Sequence, residues 1–181
     1  MKKTLLTITF ALSALIAFGQ YTYTENWPNG KPKMKGAYNS AVEILSTDSK
    51  EVQAKKMENA IRVGKWEHFF EDGKLAAEEF YTNGVMSGIW KAWYSDGSVQ
   101  YVINFSTGKA VINHPNGKVQ SEGKMLPGMI QDGYWISYHA NGNKNVEGAY
   151  INGQKNGDWK FYDEKGVHYF TEKWNNGVKA N

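Results

Sequence analysis

Four histidines, His68, His114, His139 and His168, are the side chains in this sequence best suited to proton transfer or metal binding. His114 and His139 each stand three residues before a glycine, Gly117 and Gly142, and Asp163 stands at the same distance before Gly166. Two imidazoles and a carboxylate have the composition of a metal site. Their spacing argues against one. If each copy of the pattern is a hairpin, equivalent positions lie two strands apart, roughly 9–10 Å, whereas zinc ligands converge on a point about 2.0–2.2 Å from each. The acids Asp72, Asp96, Glu78, Glu122 and Glu147 recur with the same period and read as turn formers and partners of cross-strand lysines. There is no Gly-x-Ser-x-Gly, no phosphate loop and no paired nucleophile and base. Cysteine is absent, which removes disulfides, thiolate catalysis and cysteine-based zinc sites together. No catalytic residue, no metal and no cofactor is expected, and the chain does not read as an enzyme.

A second set of residues suggests binding instead. Phe69, Trp93, Tyr138 and Tyr162 each precede a turn glycine by four residues, and Asn113 holds that place before Gly117. Two readings stand side by side. The aromatics pack across strands, each contact adding roughly 0.2–1 kcal/mol to a sheet, or they form an exposed strip of anchors for a partner, interrupted at Asn113.

Positioning such a column requires a repeat, and the sequence has one. Gly30, Gly73, Gly97, Gly117, Gly142 and Gly166 align, and five of them have a second glycine 11 residues later. Trp66, Trp90, Trp135 and Trp159 stand seven residues before four of them. The steps from Gly73 to Gly97 and from Gly142 to Gly166 are both 24 residues, and the Gly117 copy is shortened. Eight of these eleven glycines follow Asn or Asp, the pair that favours a type I′ hairpin turn. The expected fold is all-β: an elongated antiparallel meander of about six hairpin repeats, ten to twelve strands in all. A two-residue turn at Asp72-Gly73 opposes Phe70 with Leu75, His68 with Ala77 and Trp66 with Glu79. Trp66, Trp90, Trp135 and Trp159 then lie on an apolar face, and the column from Phe69 to Tyr162 lies on the opposite, mostly polar face.

The spacing from Gly30 to Gly73 leaves about 19 extra residues, placed at 45–63, as a short helical or loop insertion after the first repeat. Asp48 with Glu51 three residues later supplies a helix start, and a plain surface loop is the alternative.

The units resemble the variant MORN-repeat family, which reads approximately G-x-W-x-x-Y-Y-x-x-G-K-x-x-x-E-x-x-Y-x-N-G. Gly64-Lys65-Trp66 through Asn83-Gly84 follows it nearly throughout, and the units ending at Gly153 and Gly177 follow it well. Gly88 to Gly108 departs at Ser98 and Val102, and the Gly117 unit lacks the tryptophan. The resemblance implies a binding repeat. Bacterial members are often labelled YwqK-type antitoxins, and an antitoxin-like role is likewise only implied.

Lys2 and Lys3 before the uncharged run Leu5–Phe18, followed by Ala17-Phe18-Gly19, read as a signal peptide over residues 1–19. The run has 14 residues, short of the ~20 that span a bilayer. Residues 20–181 then form a single MORN-like repeat domain, exported to the periplasm or beyond the cell, with no transmembrane segment. The signal holds two of the 21 basic residues and none of the 18 acidic ones, so the mature chain carries about +1. Interleaved, near-neutral charge fits poorly with nucleic acid and gives little attraction to anionic lipid. The expected partner is a protein, with a glycan or lipid headgroup as the alternative.

Overall fold

The computed structural model describes residues 21–39, Ser49, Val52 and 60–180. The export signal therefore lies outside the described residues. So does most of the expected insertion, including Asp48 and Glu51. Arg62 and Val63 already belong to a strand, so that range is shorter at its end than expected.

Thirteen strands follow one another: β1 (Tyr21–Asn26), β2 (Pro32–Tyr38), β3 (Arg62–Phe69), β4 (Leu75–Thr82), β5 (Val85–Trp93), β6 (Val99–Asn104), β7 (Lys109–Asn113), β8 (Val119–Leu126), β9 (Ile130–Tyr138), β10 (Lys144–Ile151), β11 (Gln154–Tyr162), β12 (His168–Asn175) and β13 (Val178–Lys179). They form one antiparallel meander in chain order, the all-β repeat of hairpins expected from the sequence. The chain divides into two compact units at Met86/Ser87.

The turns correct one expectation. Of the eight Asn-Gly and Asp-Gly turn pairs, only Asn83-Gly84, Asn152-Gly153 and Asn176-Gly177 have positive φ at both residues, as a type I′ turn demands. At Gly73 the loop holds three residues. Gly73 N–H donates to the Phe70 carbonyl (2.9 Å), Phe70 N–H donates to the Lys74 carbonyl (2.8 Å), and glycine alone takes positive φ. Loops at Gly30, Gly97, Gly117, Gly142 and Gly166 close identically. In five of these six, the Asn or Asp before the glycine serves a different purpose. Its side-chain oxygen accepts the N–H two residues on, as Asp72 does from Lys74 (2.9 Å) and Asn141 from Asn143 (2.9 Å). The extra loop residue shifts the pairing, so Leu75 opposes Phe69 where Phe70 was expected. Trp66 opposite Glu79 and His68 opposite Ala77 are as expected.

The units of the repeat join through tryptophan and glycine. Opposite Gly36, Gly123 and Gly148 the partner strand carries three residues instead of one: Gly64–Trp66, Gly133–Trp135 and Gly157–Trp159. The leading glycine of each triplet has φ near +65 to +74°, so these are bulges that only glycine enters cheaply. Each bulge drops its indole onto the facing glycine, where an added Cβ would stand 2.1–2.4 Å from the ring. Each indole N–H also donates to the next carbonyl, Ala37, Lys124 or Ala149, at 3.0–3.2 Å. The shortened repeat inverts the sizes. Ala110 replaces the tryptophan, Ile103 replaces the glycine, the two are partners without a bulge, and both are fully buried.

In the first unit this face gathers Tyr23, Tyr38 and Trp66, with ring centroids 4.9–5.8 Å apart. The Arg62 guanidinium lies 4.4 Å above Trp66 and pairs with Glu79 at 3.3 Å. In the second unit Trp90, Ala92, Ile103, Ala110, Met125, Trp135 and Trp159 are the buried hydrophobic residues of the same face.

Candidate functional site

The histidine column has a structural role. His114 Nε2 lies 2.9 Å from the Tyr138 carbonyl and His139 Nε2 lies 3.0 Å from the Tyr162 carbonyl. A carbonyl only accepts, so Nε2 carries the proton in both. Other residue types at the same repeat position do the same work: Trp27 Nε1 donates to the Phe69 carbonyl (3.0 Å) and the Tyr94 hydroxyl to the Asn113 carbonyl (2.7 Å). The column ties four of the six turns to the following hairpin; Phe70 and Asp163 hold the place in the other two. Asparagines reinforce it, as where Asn116 Nδ2 donates to the Ala140 carbonyl and Asn141 Nδ2 to the Glu164 carbonyl. His168 and Thr171 interact at 2.8 Å, and His68 lies 3.3 Å from Glu79. No three His, Asp or Glu side chains gather to hold a metal among the described residues.

The aromatic column lies on the face opposite the tryptophans, but all four members are half-buried. In the first unit the Lys35 ammonium sits 5.4 Å from the Phe69 ring. In the second, Asn113 breaks the column and its Nδ2 donates to the Val99 carbonyl (3.1 Å). Tyr138 donates its hydroxyl to Glu122 Oε1 at 2.8 Å, and Tyr162 donates to Glu147 Oε1. Each acid stands five residues after its own turn glycine, so tyrosine and acid meet across neighbouring repeats. Glu78 holds the equivalent place before Trp93, also half-buried, but an indole has no hydroxyl to donate to it, and Glu78 pairs with Lys65.

Glu147 is the centre of the cluster and is only 7% exposed. Lys144 Nζ donates to its second oxygen at 2.7 Å and lies 5.2 Å from the Tyr162 ring. The Tyr134 hydroxyl reaches the same carboxylate. Burial pushes the Glu147 carboxyl upward, but the hydrogen bonds from Lys144, Tyr162 and Tyr134 outweigh it and hold the group below its ordinary value. The bond to Glu147, with some desolvation, pushes the Tyr162 phenol up to about 12. The arrangement holds two rings at a sheet surface. Tyr134, 54% exposed, presents the most accessible of them.

Sequence reasoning found Tyr138 and Tyr162 and missed Tyr134, Glu122 and Glu147 as their partners. A signal was present: an acid five after one turn glycine and a tyrosine four before the next recur as Glu122/Tyr138 and Glu147/Tyr162.

No curated protein matches this chain. Among solved structures, a chain of the "Crystal structure of GtfA/B complex bound to UDP and GlcNAc" aligns at 11% identity, over 68% of this chain and 28% of that one. Its TM-score is 0.24, too low to bear on fold or activity. The family profile described as "MORN repeat variant" matches residues 62–83, 86–107 and 131–152. These three stretches begin two residues before Gly64, Gly88 and Gly133, the glycines of the Gly-x-Trp triplets, and end one residue before the turn glycines Gly84, Gly108 and Gly153. Over those residues the chain is built from repeats of the MORN variant family, which serve in general as protein- or membrane-binding modules.

Proposed function

We propose that the chain is an exported, non-catalytic binding module that holds a protein partner on the tyrosine face of its second unit. The carrying observation is the Tyr134–Glu147–Tyr162 cluster, where a buried carboxylate restrains two rings. Rings restrained before binding lose little entropy on contact, and tyrosine anchors commonly dominate interface energies. Tyr138, bonded to Glu122, extends the surface toward the break at Asn113, and Trp93 lies beyond it. Export rests on Lys2, Lys3 and the apolar run behind them. A mature charge near +1 gives little attraction to an anionic membrane, which favours a protein over a lipid surface. An antitoxin-like role rests on family resemblance alone and requires that the captured partner be a toxin.

The test is capture of partners from the protein's own cells with tagged full-length chain, read by mass spectrometry. Trp93→Ala and Tyr134→Ala should each lower recovery of a specific protein at least about tenfold with the melting temperature nearly unchanged. Equal recovery by both variants refutes the tyrosine face. The intact mass of the recovered chain should place its start near Gln20, and a start at Met1 refutes export.

A further inference from the structure

The tryptophan face of the second unit carries a continuous cross-strand row. Tyr101 pairs with Ile112, Ile112 with Ser121, Ser121 with Ser137, Ser137 with Val146, Val146 with Phe161, and Phe161 with Phe170. Every member is large and apolar except the two serines, which are direct partners at its centre. Two adjacent departures from a repeat pattern, both toward smaller size, leave a notch.

The notch has a volume of about 100 Å³, and Trp135, Tyr150, Trp159 and Val146 wall it, with Ser121 and Ser137 lining it. That volume is well below the ~300 Å³ at which pockets for whole small molecules begin, so a sugar ring or cofactor does not fit. No charged side chain lines it, which disfavours an ionic group. Gln131 reaches its rim. The Ser137 hydroxyl donates weakly to the Val146 carbonyl (3.4 Å). Ser121 and Gln131 make no side-chain hydrogen bond among the described residues and remain able to bond a main chain passing over them.

We propose that this notch receives one aliphatic side chain, leucine, isoleucine or methionine, from an extended segment of a protein partner. Size selects a single side chain, the neutral aromatic walls select an apolar one, and Ser121 and Gln131 supply polar contacts for the segment's backbone. The notch lies on the face opposite Tyr134 and is a contact separate from the tyrosine face.

The experiment pans the full chain against a phage-displayed library of random peptides. The strongest binder is then remeasured on Ser121→Leu, Ser137→Leu and Tyr134→Ala chains. Enriched peptides should share one Leu, Ile or Met at a fixed position. Both leucine variants fill the notch and should weaken that peptide at least about tenfold, with the melting temperature held or raised. Tyr134→Ala should leave its binding unchanged. If one leucine variant fails to fold, the other decides. Absence of enrichment, enrichment without an aliphatic position, or full binding by a folded notch-filled variant overturns the proposal. Loss of binding in Tyr134→Ala also overturns it, because the peptide then sits on the tyrosine face.

Discussion

Glu147 shows how one side chain links two neighbouring repeats. Its carboxylate accepts from Lys144 of its own strand and from Tyr162 of the next. Deleting the tyrosine hydroxyl leaves a buried charge with fewer donors, which costs roughly 1–3 kcal/mol. Tyr162→Phe should therefore lower the urea midpoint while keeping the ring. The pH dependence has a definite sign on each side. The folded-state Tyr162 pKa is raised from 10.0 to about 12, so its contribution is complete below 10 and disappears as pH climbs toward 12. The folded-state Glu147 pKa lies below 4.5, so its contribution is complete above that value and disappears as pH falls through the lowered one. Stability should thus fall at both extremes, and Tyr162→Phe should flatten the alkaline side. Tyr23 and Tyr81, also raised to about 12, leave part of that slope in place. An unchanged alkaline slope in the variant would show that the bond to Glu147 contributes nothing. At this scale the sequence was half legible. The tyrosine column stood out by its spacing. Its acids recurred as visibly but read as lysine partners, because facing strands are not marked in a single chain.

Among the elements, the bulge and its facing glycine are the unit that was hardest to foresee. Gly-x-Trp was visible four times, but nothing in one repeat says that its indole needs a glycine in the preceding one. Gly148 is not among the positive-φ glycines, so Gly148→Ala would ordinarily stabilise by ~0.4–1 kcal/mol through the unfolded state. Here the new methyl meets the Trp159 ring at 2.4 Å. Overpacking of this kind costs ~1–3 kcal/mol, so the variant should be less stable by urea titration. A gain in stability would mean that the indole swings away. The turns divide in the same manner. Asn83 has φ +49°, so Asn83→Gly should be near neutral. Asp96 accepts the Ser98 N–H at 2.8 Å, so Asp96→Gly should lose ~1 kcal/mol. Equal losses at both sites would contradict the two turn classes. Asn-Gly and Asp-Gly announced the hairpins correctly but not their loop length, because one dipeptide serves a two-residue turn through backbone torsion and a three-residue loop through its side chain.

Over the whole molecule, the meander was legible because eleven glycines keep a period that few other folds produce. The division at Met86/Ser87 was not. Glu79 and Glu172, late in the first and second units, hold the place that Gly36, Gly123 and Gly148 hold elsewhere. Each accepts a bond from the aromatic residue two positions on, Tyr81 at 2.9 Å and Trp174 at 3.0 Å. The repeat pattern alone does not show which copies will differ.

The proposed binding surface is the tyrosine face of the second unit. Hydroxyl-radical footprinting of the chain alone and with its captured partner, read residue by residue by mass spectrometry, tests it most directly. Tyr134 should be readily oxidised in the free chain, and Tyr134, Tyr138 and Tyr162 should be protected together in the complex. Unchanged oxidation of all three in a complex that protects other residues would contradict it.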